Sequence, residues 1–249
     1  MPNLFLPERI IRVEQLDSSN SYALQLINDT NPSGGTVVMA LNQTKGRGQQ
    51  TNVWESKSGK NLTISLILRP DFIKAQDQFQ VSMLISLGVK DYLNTYIKNV
   101  SVKWPNDIYV GDKKIAGILI EQSIMGEYLS HSVCGIGLNI NQEEFLSDAP
   151  NPISLHMLTN KDYDLEEELT KLLAAIENRY RQLQNGEDSY LEKEYLKAMY
   201  WMNETHDFED EDGDFTGRII GISEFGQLLI QDTNNEIRTY NFKEVSFIK

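Results

Sequence analysis

Three cations, Arg47, Lys103 and Lys114, stand beside glycines, amides or a carboxylate in short polar segments. In Gln43-Thr44-Lys45-Gly46-Arg47-Gly48-Gln49-Gln50-Thr51-Asn52-Val53-Trp54, an arginine lies between two glycines. Glycines let a backbone approach a ligand closely while the guanidinium forks onto carboxylate or phosphate oxygens. Taken alone, the segment is weak evidence, since a glycine-rich hairpin bearing a solvated arginine is the more common object. A second segment, Lys103-Trp104-Pro105-Asn106-Asp107-Ile108-Tyr109-Val110, precedes Lys113-Lys114-Ile115-Ala116-Gly117-Ile118-Leu119-Ile120-Glu121. Its Lys, Asn and Asp flank a Pro that cannot donate to a ladder, so it reads as a functional irregularity in a sheet or as a hairpin with a polar turn. The third, Cys134-Gly135-Ile136-Gly137-Leu138-Asn139-Ile140-Asn141, places two glycines in a strand-like run, which implies close approach by a ligand or a neighbouring backbone. It is not a dinucleotide fingerprint, because the third glycine and the following helix are missing.

Charge narrows the ligand class. The chain of 249 residues has 23 Lys and Arg against 36 Asp and Glu, a net charge of -13, which argues against gripping a nucleic-acid backbone. Yet residues 40–121 hold eleven Lys and Arg against seven acids. A locally basic stretch within an acidic protein fits a small anionic ligand. No run approaches the ~18 to 20 apolar residues of a spanning helix, and MPNLFLPERIIRVEQ lacks a leader pattern, so a cytoplasmic protein with no membrane partner is expected. A single cysteine, Cys134, makes neither an internal disulfide nor a zinc site, and His131, His156 and His206 are too far apart for a local metal motif.

The elements that must position these segments follow from periodicity. Apolar residues at 23, 24 and 27 after Asp17, Ser18 and Ser19 predict a first helix over 20–28. Residues 36–41 and 61–68 read as strands around a polar loop, and the spacing of apolar residues from 81 to 97 predicts a long helix. Residues 101–110, 114–122 and 128–141 read as successive strands with short links, which favours antiparallel neighbours. Two further helices are expected over 165–183 and 190–202. The acidic stretch 204–214 reads as a solvated boundary, and short strand-like runs follow it. The expected fold is α+β: a mixed, largely antiparallel sheet covered by helices (residues 1–203), then an acidic linker and a small SH3-like β-barrel (204–249).

Together the segments are more specific than any one of them. QTKGRGxxxxxWESxxGxNLxxSLxLRP, VKWPNDIYVxxKKIAGILIE and GIGLNIN, in this order, closely resemble the biotin protein ligases, also called holocarboxylase synthetases. Leu16-Asp17-Ser18-Ser19-Asn20 is similar to that family's LDSTN. The likeness implies that biotin's carboxylate attacks the α-phosphate of ATP to give biotinyl-5'-adenylate and pyrophosphate, and that a lysine of a biotin carboxyl carrier protein then takes the acyl group. By motif position, Ser18, Ser19, Asn20 and Gln43 would hydrogen-bond the biotin head, and Gly46, Gly48, Gly117, Leu119, Gly135 and Leu138 would shape its slot. Arg47 and Lys114 would face the carboxylate and phosphoryl oxygens, with Lys103 and Asn106 by the nucleotide phosphates and Mg2+. Gln49, Trp54 and Asn139 join these on the adenylate side, and Asp107 is the candidate to deprotonate the acceptor lysine. Where many members read GRGRxG, this chain has Gln49, Gln50 and Thr51, so a less electropositive loop and faster adenylate release are expected.

A lipoate-protein ligase or octanoyltransferase of similar fold is the alternative enzyme, and a non-catalytic biotin or adenylate sensor is the alternative class. Some bifunctional relatives carry an N-terminal DNA-binding domain, whereas here only fifteen residues precede Leu16, which points to the monofunctional type. No sequence-specific DNA binding is therefore expected with or without biotin and ATP. A mobility shift persisting at physiological salt would overturn this expectation.

Overall fold

The structure is a computed structural model that describes residues 3–48, 52–146 and 151–248. Its main sheet has seven strands in the order β1-β2-β3-β7-β6-β5-β4: β1 Ile10–Leu16, β2 Thr36–Gln43, β3 Leu62–Leu68, β4 Val100–Lys103, β5 Asp107–Val110, β6 Lys113–Met125 and β7 Tyr128–Leu138. β1 runs parallel to β2 through the crossover α1 (Ser19–Thr30), and the other pairs are antiparallel. This is the mixed, largely antiparallel sheet expected.

Alternation along the strands divides the molecule into layers. On one face, Leu62, Ile64, Leu66, Cys134, Ile136, Leu138 and Ala116 join a continuous core with α2 (Phe79–Leu93), α4 (Leu165–Gln184) and α5 (Asp188–Ala198). On the other, Val38, Ile67 and Val133 form a smaller cluster with Ala23 and Ile27 of α1, flanked by Leu16 of β1. The rest of that second face is left for a cleft.

Several elements depart from the periodicity reading. The strand expected over 101–110 is two strands, because residues 104–106 turn the chain and Lys103 pairs back on Asp107. The Trp104-Pro105 bond is cis. The helix expected to reach residue 97 ends at Leu93; Tyr96 continues the apolar spacing in the turn beyond, edge-on to Tyr92. The last expected helix ends at Ala198, because Met199 turns to an extended conformation with ψ 133°. β1 and the short α3 (Leu155–Thr159) carry too little periodicity to be read from sequence, β1 because its residues are half-exposed at the sheet edge.

The acidic run is not a linker. It forms the hairpin between β8 (Thr205–Asp210) and β9 (Gly213–Ile222), which with β10 (Leu228–Asp232), β11 (Ile237–Tyr240) and β12 (Ser246–Phe247) makes an antiparallel sheet ordered β11-β10-β9-β8-β12. Asp210 accepts from Arg238 at 3.0 Å and from the Tyr240 hydroxyl at 2.6 Å, and these contacts hold its carboxyl below the usual range. Among the described residues no pairing of β11 with β12 closes this sheet into a barrel. No helix among them is long and apolar enough to cross a membrane.

One close approach sets the distance between α2 and α4. A Cβ added at Gly88 would stand 2.7 Å from Cγ1 and 2.8 Å from Cα of Ile176. Alanine gains about 1 kcal/mol of helix propensity over glycine, but overpacking against a backbone atom costs about 1 to 3 kcal/mol. Gly88→Ala is therefore expected to lower unfolding stability by up to about 2 kcal/mol, read from the urea midpoint at constant slope. A stabilised variant would show that the two helices separate freely.

Candidate functional site

The three polar segments, distant in sequence, converge on the open part of the sheet face. In β6 and β7, Gly117 pairs with Gly137 and Leu119 with Gly135, so three of these four facing positions lack a side chain. Larger groups from outside the sheet occupy the space. A Cβ at Gly135 would stand 2.3 Å from Asn20 Oδ1, and one at Gly137 would stand 2.2 Å from the Trp54 indole. The glycines thus admit one side chain from α1 and one from the loop after β2.

The N-terminus of α1 forms one wall. Ser18 is its N-cap, and the side chain makes no capping bond, so the hydroxyl is left to the cleft. Ser19 N–H donates to Gln43 Oε1 at 2.7 Å. Asp17 anchors this corner by accepting from the Thr44 hydroxyl at 2.7 Å and from Lys45 at 2.9 Å, contacts that hold its carboxyl below the ordinary value. Beneath Ser19 and Asn20 lies Ser65 of β3, fully buried, 2.8 Å from Ser19 Oγ and donating to Asn20 Oδ1 at 2.6 Å. Asn20 in turn donates to Glu121 Oε2 at 2.9 Å.

The opposite wall carries the charge. Lys114 donates to Asp107 at 2.6 Å, and Arg47 to Glu121 at 2.9 Å. The loop bearing Arg47 is closed at its base by Trp54 N–H to Gly46 O at 3.0 Å and Gly48 N–H to Asn52 O at 2.7 Å. The centroid of the Trp54 ring stands 5.8 Å from Lys114 Nζ, and its buried Nε1 has no hydrogen-bond partner among the described residues. A buried donor of this kind awaits an acceptor. Tyr109, opposite Lys114 in the ladder, has its phenol pushed up to about 12 by burial and then by Asp107 and Asp112.

Of the residues singled out by sequence, Ser18, Ser19, Asn20, Gln43, Arg47, Gly48, Trp54, Asp107, Lys114, Gly117, Leu119 and Gly135 line this cleft. Gly46 closes the loop behind it. Gln49, with Gln50 and Thr51, lies outside the described residues. Four others do not line it. Leu138 points into the helical core, because it is odd-numbered steps from Gly135 and Gly137's face; Gly137 lines the slot in its place. Lys103 directs its ammonium at the rings of Phe247 and Tyr109, 4.6 and 5.4 Å from their centroids. Asn106 is buried and borders a neighbouring groove with Trp104, Pro105 and Phe242. Asn139 is buried, donating to Ile153 O at 3.1 Å.

Sequence reasoning missed Ser65 and Gly137, and assigned no role to Glu121. Period-2 spacing from Gly135 would have found Gly137, and the same spacing along Gly117, Leu119 and Glu121 puts the carboxylate on the cleft face. Ser65 stands as a fixed position in the first motif, NLxxSLxLRP, but as one of two hydroxyls in an apolar strand it was given no role. As for a divalent ion, the described residues contain no cluster of three His, Cys, Asp or Glu, and Asp107 is the carboxylate in the lining. That donor set suits an ion carried in on phosphates rather than one caged by protein, as is usual for magnesium.

Both parts of the chain resemble known proteins. Residues 13–139 match the biotin/lipoate A/B protein ligase family and residues 207–248 the biotin protein ligase C-terminal domain. The bifunctional ligase/repressor BirA of Bacillus subtilis is 30% identical over 237 residues, covering 93% of this chain and 71% of that protein. The biotin–acetyl-CoA-carboxylase ligase of Paracoccus denitrificans is 32% identical over 174 residues, covering 67% and 71%. Biotin protein ligase from Aquifex aeolicus, in complex with biotin and ATP, superposes with a TM-score of 0.80 at 28% identity, covering 96% of this chain and 98% of that one.

The glycine slot makes a prediction independent of any ligand. Gly137→Ala should expel the Trp54 indole, shift tryptophan emission to the red and cost ~1 to 3 kcal/mol of stability. In a Trp54→Phe background the same alanine should leave the emission unchanged. An unshifted spectrum in the single variant would mean that the ring does not rest on Gly137.

Proposed function

The chain belongs to the biotin/lipoate A/B protein ligase family, and on that premise we infer that it is a biotin protein ligase. It is an ATP-dependent enzyme that activates biotin to biotinyl-5'-adenylate, releasing pyrophosphate, and passes the biotinyl group to a carrier-protein lysine with release of AMP. The observation that carries this reading is the convergence of three motif segments on one cleft, with amides and hydroxyls along one wall and Arg47 and Lys114 along the other.

The roles follow from that division. Ser18, Ser19, Asn20 and Gln43 offer the donors and acceptors that orient a cyclic urea, with Ser65 fixing the rotamers of Ser19 and Asn20 from below. Leu119 and the glycines accommodate the apolar bicycle and chain. Joining a carboxylate to a phosphate brings two anions together, so fixed cations must stabilise the charge on the transferring group. Arg47 and Lys114 supply it. Trp54 Nε1 is placed to donate to the adenylate. Magnesium, bound with the phosphates, would neutralise part of their charge, with Asp107 the nearest protein carboxylate. In the second half-reaction the acceptor lysine, with an ordinary pKa near ~10.4, must lose a proton before it can attack. Asp107, already hydrogen-bonded to Lys114, is the group we assign to receive it.

The carrier is the biotin carboxyl carrier protein of a biotin-dependent carboxylase, and we place the reaction in the cytoplasm, a setting that suits a lone buried cysteine. We further assign residues 1–203 to catalysis and 204–249 to a small C-terminal domain, joined where Trp104 Nε1 donates to Gly226 O at 2.9 Å. The octanoyltransferase alternative needs a nucleophilic cysteine. Cys134 lies in the helical core on the sheet face away from the cleft, and burial pushes its thiol up, away from the reactive thiolate.

The deciding experiment supplies the protein with ATP, magnesium, a carrier domain and either biotin or lipoate, then weighs the carrier. A gain of one biotinyl group with AMP and pyrophosphate as products is expected; ADP, or preference for lipoate, would refute the assignment, and binding without turnover would indicate a sensor. Lys114→Met and Arg47→Ala should each slow adenylate formation by roughly thirty-fold or more, as expected for truncating one partner of a charge pair desolvated by its ligand. Near-normal adenylate synthesis by both would remove them from the site.

A further inference from the structure

Glu121 is the acid of the site that the reaction above does not use. It follows Gly117 and Leu119 on the cleft face of β6 but stands just beyond the lining residues. Its carboxylate faces the Arg47 fork, with Nη2 to Oε1 at 2.9 Å and Nη1 to Oε2 at 3.4 Å, while Nη1 also donates to Ser21 Oγ at 3.2 Å. A guanidinium held by a carboxylate in this way is satisfied much as it would be by the anionic end of a substrate.

Two features separate this contact from a structural brace. The pair is open to solvent, with side-chain exposures of 43% for Arg47 and 27% for Glu121, so it is weak enough to be exchanged. The carboxylate itself is nevertheless held in place: Oε2 accepts from Asn20 Nδ2 at 2.9 Å, and Asn20 is buried with its own Oδ1 taking the Ser65 hydroxyl at 2.6 Å. One partner is anchored from the buried side, and the other reaches it from the loop after β2. The anchor is also a residue of the wall assigned to the biotin head, so the acid links the two ends of the cleft.

We propose that Glu121 is a positioning residue that stands in for the substrate's anion, holding Arg47 at the cleft edge until the carboxylate of biotin or the phosphate of its adenylate displaces it, and retrieving Arg47 when the intermediate is consumed. This rests on the ligase reading. Its consequence is that Glu121 weakens retention of anionic ligands, and only of those, because a neutral ligand has nothing to exchange with Arg47.

The test compares wild type, Glu121→Gln and Glu121→Asp for binding of biotin, biotinamide and biotinyl-5'-adenylate by calorimetry, with adenylate release followed in a chase. Glutamine keeps an oxygen for Asn20 but loses the charge; aspartate keeps the charge. An exposed pair of this kind sets the expected gain for Glu121→Gln at about three- to fivefold in adenylate affinity, chiefly as slower release. Biotin should tighten in the same direction, biotinamide should be unchanged, and Glu121→Asp should stay close to wild type. Loss of affinity for all three ligands in Glu121→Gln would identify Glu121 as a brace, and equal tightening of all three or no change in any would equally overturn the exchange. Wild type that binds none of the three would instead refute the ligase reading itself.

Discussion

The cleft exists because two strands lack side chains where they face it. With Gly117 opposite Gly137 and Gly135 opposite Leu119, β6 and β7 leave room that Asn20 and Trp54 enter from outside the sheet. The reach of Asn20 and the seat of Trp54 both depend on this one geometry. Had Gly135 carried a methyl, Asn20 could not reach both Ser65 and Glu121, and had Gly137 carried one, Trp54 could not lie between Lys114 and the sheet. The sheet can bear such a thin face because its other face is packed by three helices, and the large apolar side chains of the same strands point that way.

Upon this base the site is divided by chemistry. The α1 side is neutral and firmly held, with short hydrogen bonds among groups buried to a few percent exposure. The loop side is charged and only half-buried, and its two cations are each matched by a carboxylate. Rigid neutral recognition suits the part of a ligand that does not react, because pre-organised donors lose little entropy on binding. Exchangeable ion pairs suit the part whose charge changes as a carboxylate becomes a mixed acyl-phosphate anhydride and then an amide.

Legibility followed the physics of each element. The long helices were plain because they bury one stripe against the sheet, and α4 runs within a residue of its expected span. The edge strand β1 was hidden because half-exposed residues carry no alternation worth reading. The acidic run misled because charge count says nothing of partners: Asp210 is held by Arg238 and Tyr240, which lie 28 and 30 residues further along the chain. Lys103 was placed by its motif among the phosphates, yet its ammonium lies over Phe247, a ring supplied by the last strand.

The sequence by itself determined the class of fold and an anionic ligand, since strand alternation, helical periodicity and local basic charge are properties of contiguous residues, and its resemblance to a known family supplied most of the cleft lining. Only the tertiary structure decided which of those residues act together. Ser65 meets Asn20 across 45 positions, Arg47 meets Glu121 across 74, and Trp54 finds the glycines of two strands from a separate loop. Such contacts are chosen by strand register and by the direction in which each side chain leaves the sheet, and neither is written in any segment read alone.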